Sequence, residues 1–290
     1  MALTTRRLGR TEHQSSLAIL GGAMFWNTDQ ETTERAFHLA LEAGVNHVDI
    51  APSYGHAEVV AGPLVAANRS RLFVGEKTGR KNPDGVRAEL ENSLGRLGCD
   101  AFDLYQVHGV VSLDDLETRA GAFETILRAR DEGLTRFVGI TGHDLSTAAA
   151  QLEAVKRYDL DSVMLPVYPR AVADPQYASD LAALFDECAR RDVAVMAIKA
   201  GAWRPWGDRE KTANPWYEPF TDEALLQRAV DFTLSTPGVM AFCTPGDVSI
   251  LPAVLAAADG YRPMTAEARD ALLTEAAEWP IIFPLAENAR

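Results

Sequence analysis

The feature that most constrains this chain is a rhythm. Eight short apolar runs, at 17–21, 45–50, 72–76, 102–107, 136–140, 162–165, 193–198 and 239–243, alternate with longer segments of helical period. The helical segments fall near 29–43, 56–68, 83–96, 113–131, 145–157, 177–191, 221–235 and 248–258. The runs are continuously apolar, which is the pattern of strands buried on both faces. Alternating βα units build a parallel sheet, and eight of them predict an α/β fold closed as a (β/α)8 TIM barrel. A doubly wound open sheet is the alternative. The first run ends in Leu20, Gly21, Gly22, Ala23 and Met24, which is not the G-x-G-x-x-G loop of dinucleotide-binding sheets.

No linker, charge block or low-complexity segment divides the sequence, so residues 1–290 are expected to form one domain. Asp29 and Thr221 stand where helix N-caps belong, and Gly44 and Gly133 where helices end on glycine. Two pieces fall outside the eightfold pattern. Residues 1–16 read as a hairpin that could cap the N-terminal mouth of the barrel. Residues 265–279 read as an extra C-terminal helix, followed by Pro280, Ile281, Ile282, Phe283 and Pro284.

A formal net charge of −13 argues against nucleic acid and anionic membrane as partners. No run approaches the roughly 18 apolar residues of a membrane span. Cys99, Cys188 and Cys243 show no metal or redox spacing and fit a reducing compartment, so a cytoplasmic protein is expected. The six histidines show no HxH or HExxH spacing, and no metal site is expected.

Three successive runs deliver a chemically capable side chain to one end of the expected barrel. The second ends on Asp49 with Tyr54 in the following loop, the third on Lys77, and the fourth on His108. Active sites of such barrels lie where strands end and βα loops begin. An ammonium beside a phenol favours the phenolate, making tyrosine a usable proton donor. Asp49 would hold Lys77, and His108 would orient a carbonyl oxygen. The set suits protonation of an oxygen that is becoming an alkoxide. Lysine is scarce here, five against twenty-three arginines, yet Lys77 and Lys199 both follow strand-like runs. After the seventh run a loop of about twenty residues, 199–220, carries Trp203, Trp206, Trp216 and Tyr217. With Trp26 these aromatics could wall an apolar substrate pocket, or pack the loop onto the barrel rim. His143 and Asp144 after the fifth run could reach the site, but a local turn or helix cap is the favoured reading.

Over nearly its whole length the chain resembles the aldo-keto reductases, (β/α)8 enzymes that use a nicotinamide cofactor. The matching stretches are Arg7 to Thr11, Leu20 to Gly22, Gly44 to Gly55, Leu104 to His108, Arg136 to Thr141, and Thr244 to Gly246. The resemblance carries the family's catalytic tetrad onto Asp49, Tyr54, Lys77 and His108. It implies reduction of a small aldehyde or ketone by NAD(P)H, with substrate bounded by Trp26, Tyr54, His108, Trp203 and Trp206. It further implies a cofactor held by Gly22, Ala23, Met24, Asp49, Thr141, Gly142, Met164, Ile198, Lys199, Thr244, Gly246 and Asp247. Thr141 and Gly142 stand where relatives carry Ser-Asn, Met164 where they carry Gln, and Ile198 where they carry an aromatic. After the eighth run, no Lys or Arg appears between Thr244 and Tyr261 to meet the 2′-phosphate of NADPH, while Asp247 could accept from a free ribose hydroxyl. NADP(H) and NAD(H) both stay open. Two other functions remain: a non-catalytic nucleotide sensor on the same scaffold, and a barrel lyase forming a Schiff base through Lys77 or Lys199.

Overall fold

The structure, a computed structural model, describes residues 2–283; Met1 and the expected chain end from Pro284 onward lie outside the described residues. Eight parallel strands close on themselves. They are β1 Ala18–Gly21, β2 His47–Asp49, β3 Phe73–Thr78 and β4 Phe102–Val107, then β5 Thr135–Thr141, β6 Ser162–Pro166, β7 Ala194–Ile198 and β8 Val239–Cys243. Each pairs with its sequence neighbours, and β8 pairs with both β1 and β7, so no edge is left open. The (β/α)8 barrel is therefore observed and the open sheet is excluded. Every expected strand forms within one or two residues of its predicted limits.

The interior and exterior of the barrel follow from strand alternation. Inward-facing Ile19, Phe73, Leu104, Met164, Ala194, Met196, Ile198 and Ala241 form one apolar cluster, which Leu8 joins from below. Outward-facing residues meet the helices in a second and larger core. The hairpin expected at the N-terminus pairs Thr5–Arg7 with Gln14–Ser16 in antiparallel register. Its loop inserts Leu8, which is fully buried, as the stopper of the barrel floor. No helix among the described residues is long and apolar enough to cross a membrane.

Three of the predicted helical segments differ in detail, and a short helix, Pro169–Val172, falls outside all of them. The segment 113–131 is two helices, Leu113–Thr118 and Ala120–Asp131, because Arg119 leaves helical geometry at φ −111° and ψ 11°. Its guanidinium turns back to Asp115 at 3.0 Å. The N-cap of Glu223–Ser235 is Asp222 and not Thr221, since the Asp222 carboxylate accepts from the Leu225 N–H. The segment 248–258 begins as a 3-10 turn at Val248–Ile250 and becomes α-helical over Leu251–Asp259. Asp29 caps Gln30–Glu42 as expected, and Gly44 and Gly133 take the left-handed backbone, φ 90° and 78°, that the ends of helices favour. The extra C-terminal helix is Ala266–Ala276, capped by Thr265.

The long loop after β7 is partly ordered by its own hairpin. Ala202–Pro205 pairs with Tyr217–Pro219, and Arg204 grips Glu218 across it at 2.8 and 3.0 Å. If Leu8 is the stopper, Leu8→Ala leaves a cavity with no side chain able to refill it. Urea unfolding is expected to show a loss of about 2–5 kcal/mol; a loss well under 1 kcal/mol would mean the floor closes without it.

Candidate active site

Parallel register sets the site. Asp49 on β2 pairs with Gly75, and Lys77 on β3 pairs with Gln106 on β4. Alternation then points Asp49, Lys77, Gln106 and, just past β4, His108 toward the barrel axis. Lys77 lies within β3 and not beyond it, so its stem is enclosed by the barrel wall. Lys77 and Asp49 are 1% and 2% exposed, a depth at which an unpaired charge is untenable. They form a direct ion pair, and the ammonium also donates to the Ile50 carbonyl at 3.2 Å. The other Asp49 oxygen accepts from the Gln106 amide at 3.1 Å, and the Cys243 thiol approaches Asp49 at 3.9 Å. Burial alone would lower the Lys77 pKa, but Asp49 and Tyr54 outweigh it and hold the amine charged.

Tyr54 sits in the turn that leads to helix Ala57–Asn68, its N–H bonded to Ala51 and its carbonyl receiving Ala57. The Lys77 ammonium lies 5.2 Å from the centre of its ring. Burial pushes the phenol up to about 12, with Lys77 pulling the other way. The residues alone reveal only the ammonium; in the folded chain desolvation dominates, and Tyr54 holds its proton through neutral pH. His108 stands edge-on to Tyr54, ring centres 5.8 Å apart. Burial, Lys77 and the neighbouring His143 hold His108 well below the usual histidine range, so it is neutral.

His143 is the principal correction. It was expected to serve a local turn, yet its Nε2 lies 3.1 Å from His108 Nε2. The local turn is made by Asp144 alone, whose carboxylate accepts from the Leu145 N–H. Gly142 explains the placement. A Cβ there would meet Thr147 Oγ1 at 1.6 Å and the Val110 carbonyl at 2.4 Å, so the backbone crosses too tightly for any side chain and the next residue emerges at the mouth. Gln106, likewise absent from the sequence-derived set, had only its place two residues before His108 as a signal.

The remaining predicted residues divide. Gly21 brings the end of β1 against β8: a Cβ on it would meet the Thr244 carbonyl at 2.6 Å, and Thr244 Oγ1 accepts from the Gly21 N–H at 2.9 Å, whereas a Cβ on Gly22 would meet the Ile50 side chain at 2.6 Å. Ala23 faces Gly246 across the same seam. Met24 is buried in the outer core, so only its backbone is available to a ligand. Thr141 Oγ1 accepts from the Gly109 N–H, tying the loops after β4 and β5 together. Met164 and Ile198 belong to the interior apolar cluster beneath the mouth. Asp247 is a latch: its carboxylate accepts from the Asn214 N–H at 2.6 Å and from both Ser249 donors, anchoring the long loop to the segment after β8. Trp206 is buried and donates to the Pro215 carbonyl, while Trp203 packs on Phe220 and Trp279. These contacts give both indoles a packing role in the loop. Trp26 is 44% exposed, its carbonyl receiving the His56 N–H in the Tyr54 turn.

Lys199 behaves unlike Lys77. It has a left-handed backbone, φ 72°, and its ammonium stands 4.8 Å from the Tyr217 ring centre and 5.3 Å from that of Trp216. No carboxylate lies within ion-pair distance of it among the described residues, and burial lowers its pKa to about 8.

With this geometry in place, comparison with known proteins gives a consistent answer. The model of the aldo/keto reductase family matches residues 18–219. The chain belongs to the aldo/keto reductase family. An aldo-keto reductase of Mycobacterium sp. (strain KMS) is 28% identical over 204 residues, 67% of this chain and 66% of that protein. The match thus spans about two thirds of its length. One from Bacillus subtilis is 30% identical over 140 residues, 43% of this chain and 41% of that one. In fold, the holo form of an aldo-keto reductase from Bacillus halodurans superposes with a TM-score of 0.72, covering 95% of this chain and 97% of that one at 22% identity.

The buried pair yields a test. Asp49→Asn strands the Lys77 charge, and breaking such a pair costs about 3–5 kcal/mol. The double variant Asp49→Asn with Lys77→Met removes the stranded charge and should recover most of that loss in urea unfolding. Equal instability of single and double variants would mean the pair is not what holds this wall.

Proposed function

We propose that the barrel mouth reduces a small aldehyde or ketone to an alcohol, with a nicotinamide cofactor as hydride source. The observation that carries this reading is the buried Lys77–Asp49 pair lying against Tyr54, with neutral His108 beside it. An oxygen becoming an alkoxide is a far stronger base than a phenolate. Tyr54, holding its proton at neutral pH, can therefore give it to that oxygen, and the Lys77 cation stabilises the phenolate left behind. Asp49 keeps Lys77 charged and fixed; Gln106 and the Ile50 carbonyl hold that pair in register. His108, uncharged, can donate an N–H to the substrate oxygen and set its angle.

The cofactor, when bound, supplies a hydride to the carbonyl carbon; the rest is positioning by this chain. The donor set at the mouth fits such a group. Lys199 is a cation without a carboxylate partner among the described residues, between two aromatic rings, and an anion such as a pyrophosphate supplies the charge it lacks. The seam of Gly21 and Gly246 between the ends of β1 and β8 lets backbone approach closely. No cationic side chain lies between Thr244 and Tyr261, and Asp247 is acidic, so the residues there favour NADH over NADPH.

One observation favours a second reading. Imine chemistry needs a desolvated lysine with a lowered pKa, and Lys199 at about 8 meets that requirement, whereas Lys77, held charged by Asp49, does not. Borohydride trapping with a carbonyl compound separates the readings: a covalent adduct on Lys199 would support the lyase.

Two outcomes are expected. Tyr54→Phe should lower aldehyde reduction by about 10²–10⁴-fold while changing cofactor affinity little, as read by steady-state kinetics and fluorescence titration. Retained turnover would remove Tyr54 as the acid. Because Lys199 is charged below about pH 8, cofactor affinity should weaken as pH rises through that value, and Lys199→Met should flatten the dependence. An identical pH profile in the variant would place the anion elsewhere.

A further inference from the structure

The His108–His143 contact has a consequence for which carbonyl compounds the site accepts; the inference rests on the reductase reading. Both rings are half-buried, their planes cross at 64°, and their Nε2 atoms are 3.1 Å apart. The loops that carry the two rings are held together. The loops after β4 and β5 are bound to each other through Gly109 N–H to Thr141 Oγ1, Val110 N–H to the Thr141 carbonyl, and Thr147 Oγ1–H to the Val110 carbonyl. The cations facing the pair are Lys77 and Lys199, with Arg119 also acting on His108, and together with burial they keep both imidazoles neutral.

Two neutral imidazoles bonded nitrogen to nitrogen share one N–H, with one ring donating and the other accepting. In either arrangement His108 Nε2 is engaged. A substrate offering only a carbonyl oxygen must break that bond to receive the His108 proton. It then leaves His143 Nε2 without a partner, the unfavourable case for a polar group in a sheltered site. A substrate with a hydroxyl on the carbon next to the carbonyl avoids this. Its carbonyl oxygen accepts from His108 Nε2–H, and its O–H donates to His143 Nε2. One nitrogen–nitrogen bond is exchanged for two bonds to substrate, and no group is orphaned. Oxygens on neighbouring carbons are also suitably spaced for two nitrogens this close.

We infer that His143 is a specificity-determining residue, receiving the hydroxyl of an α-hydroxycarbonyl substrate beside the His108 site for the reacting oxygen.

The test compares kcat/KM for glycolaldehyde against acetaldehyde, and for hydroxyacetone against acetone, with NADH and with NADPH. Sites built to bond a substrate hydroxyl discriminate strongly against analogues lacking it. The wild-type protein should prefer the hydroxylated member of each pair by about tenfold or more. In His143→Leu the preference should collapse through loss of activity on the hydroxylated compound. His143→Asn, which keeps an acceptor, should restore part of it. A merely structural role would depress both members equally and leave the ratio unchanged. Turnover of all four compounds without preference, or a preference that survives in His143→Leu, overturns the assignment to His143 while leaving the reductase reading intact. No turnover of any of them with either cofactor overturns the reductase reading itself.

Discussion

Much of this molecule depends on one buried ion pair. Removing a carboxylate and an ammonium from water costs several kcal/mol each, and their attraction offsets this only where geometry and additional hydrogen bonds are good. Asp49 and Lys77 meet those conditions because parallel register on β2 and β3 brings them together. The Ile50 carbonyl and the Gln106 amide then occupy the remaining positions. A fixed cation at the top of a dry barrel is costly to build and has an evident chemical use next to a phenol. The apolar plug from Leu8 to Ile198 keeps water from reaching it from below.

The site combines two opposed ways of treating a lysine. Lys77 is kept charged by its carboxylate, whereas Lys199, over two aromatic faces and without a carboxylate, is moved toward neutrality. In the proposed reductase one amine stabilises a phenolate and the other receives an anion, and this difference suits both tasks. The long loop after β7 serves the second task. Trp206 and the Arg204–Glu218 pair stiffen it, and Asp247 latches it through Asn214 to the segment after β8.

Most of the architecture was legible in the residues, because burial on both faces makes barrel strands read as apolar runs and helices keep their own period. Asp49, Tyr54, Lys77 and His108 were legible for a similar reason: polar side chains at successive strand ends stand out against those runs. What escaped depended on distance in space rather than spacing along the chain. His143 looked like a turn residue beside Asp144, and only the tight crossing at Gly142 carries it to His108. Gln106 was hidden inside an apolar strand. The Tyr54 proton was misjudged because a sequence announces a neighbouring charge more readily than it announces desolvation. Whether Trp203 and Trp206 wall a pocket or pack the loop stayed open in the residues because their packing partners, Phe220, Trp279 and the Pro215 carbonyl, lie in other segments or across the loop.

The central claim is that this mouth receives a nicotinamide and passes its hydride to a carbonyl. The most direct measurement uses NADH deuterated at the transferring position of C4, with purified protein and a carbonyl compound, and analyses the alcohol by mass spectrometry. The account predicts one deuterium on the former carbonyl carbon, with NADH saturating on the order of 1 μM to 1 mM, the usual range for enzymes. Alcohol without deuterium, or no alcohol from a folded protein with either cofactor and a full carbonyl panel, would contradict it.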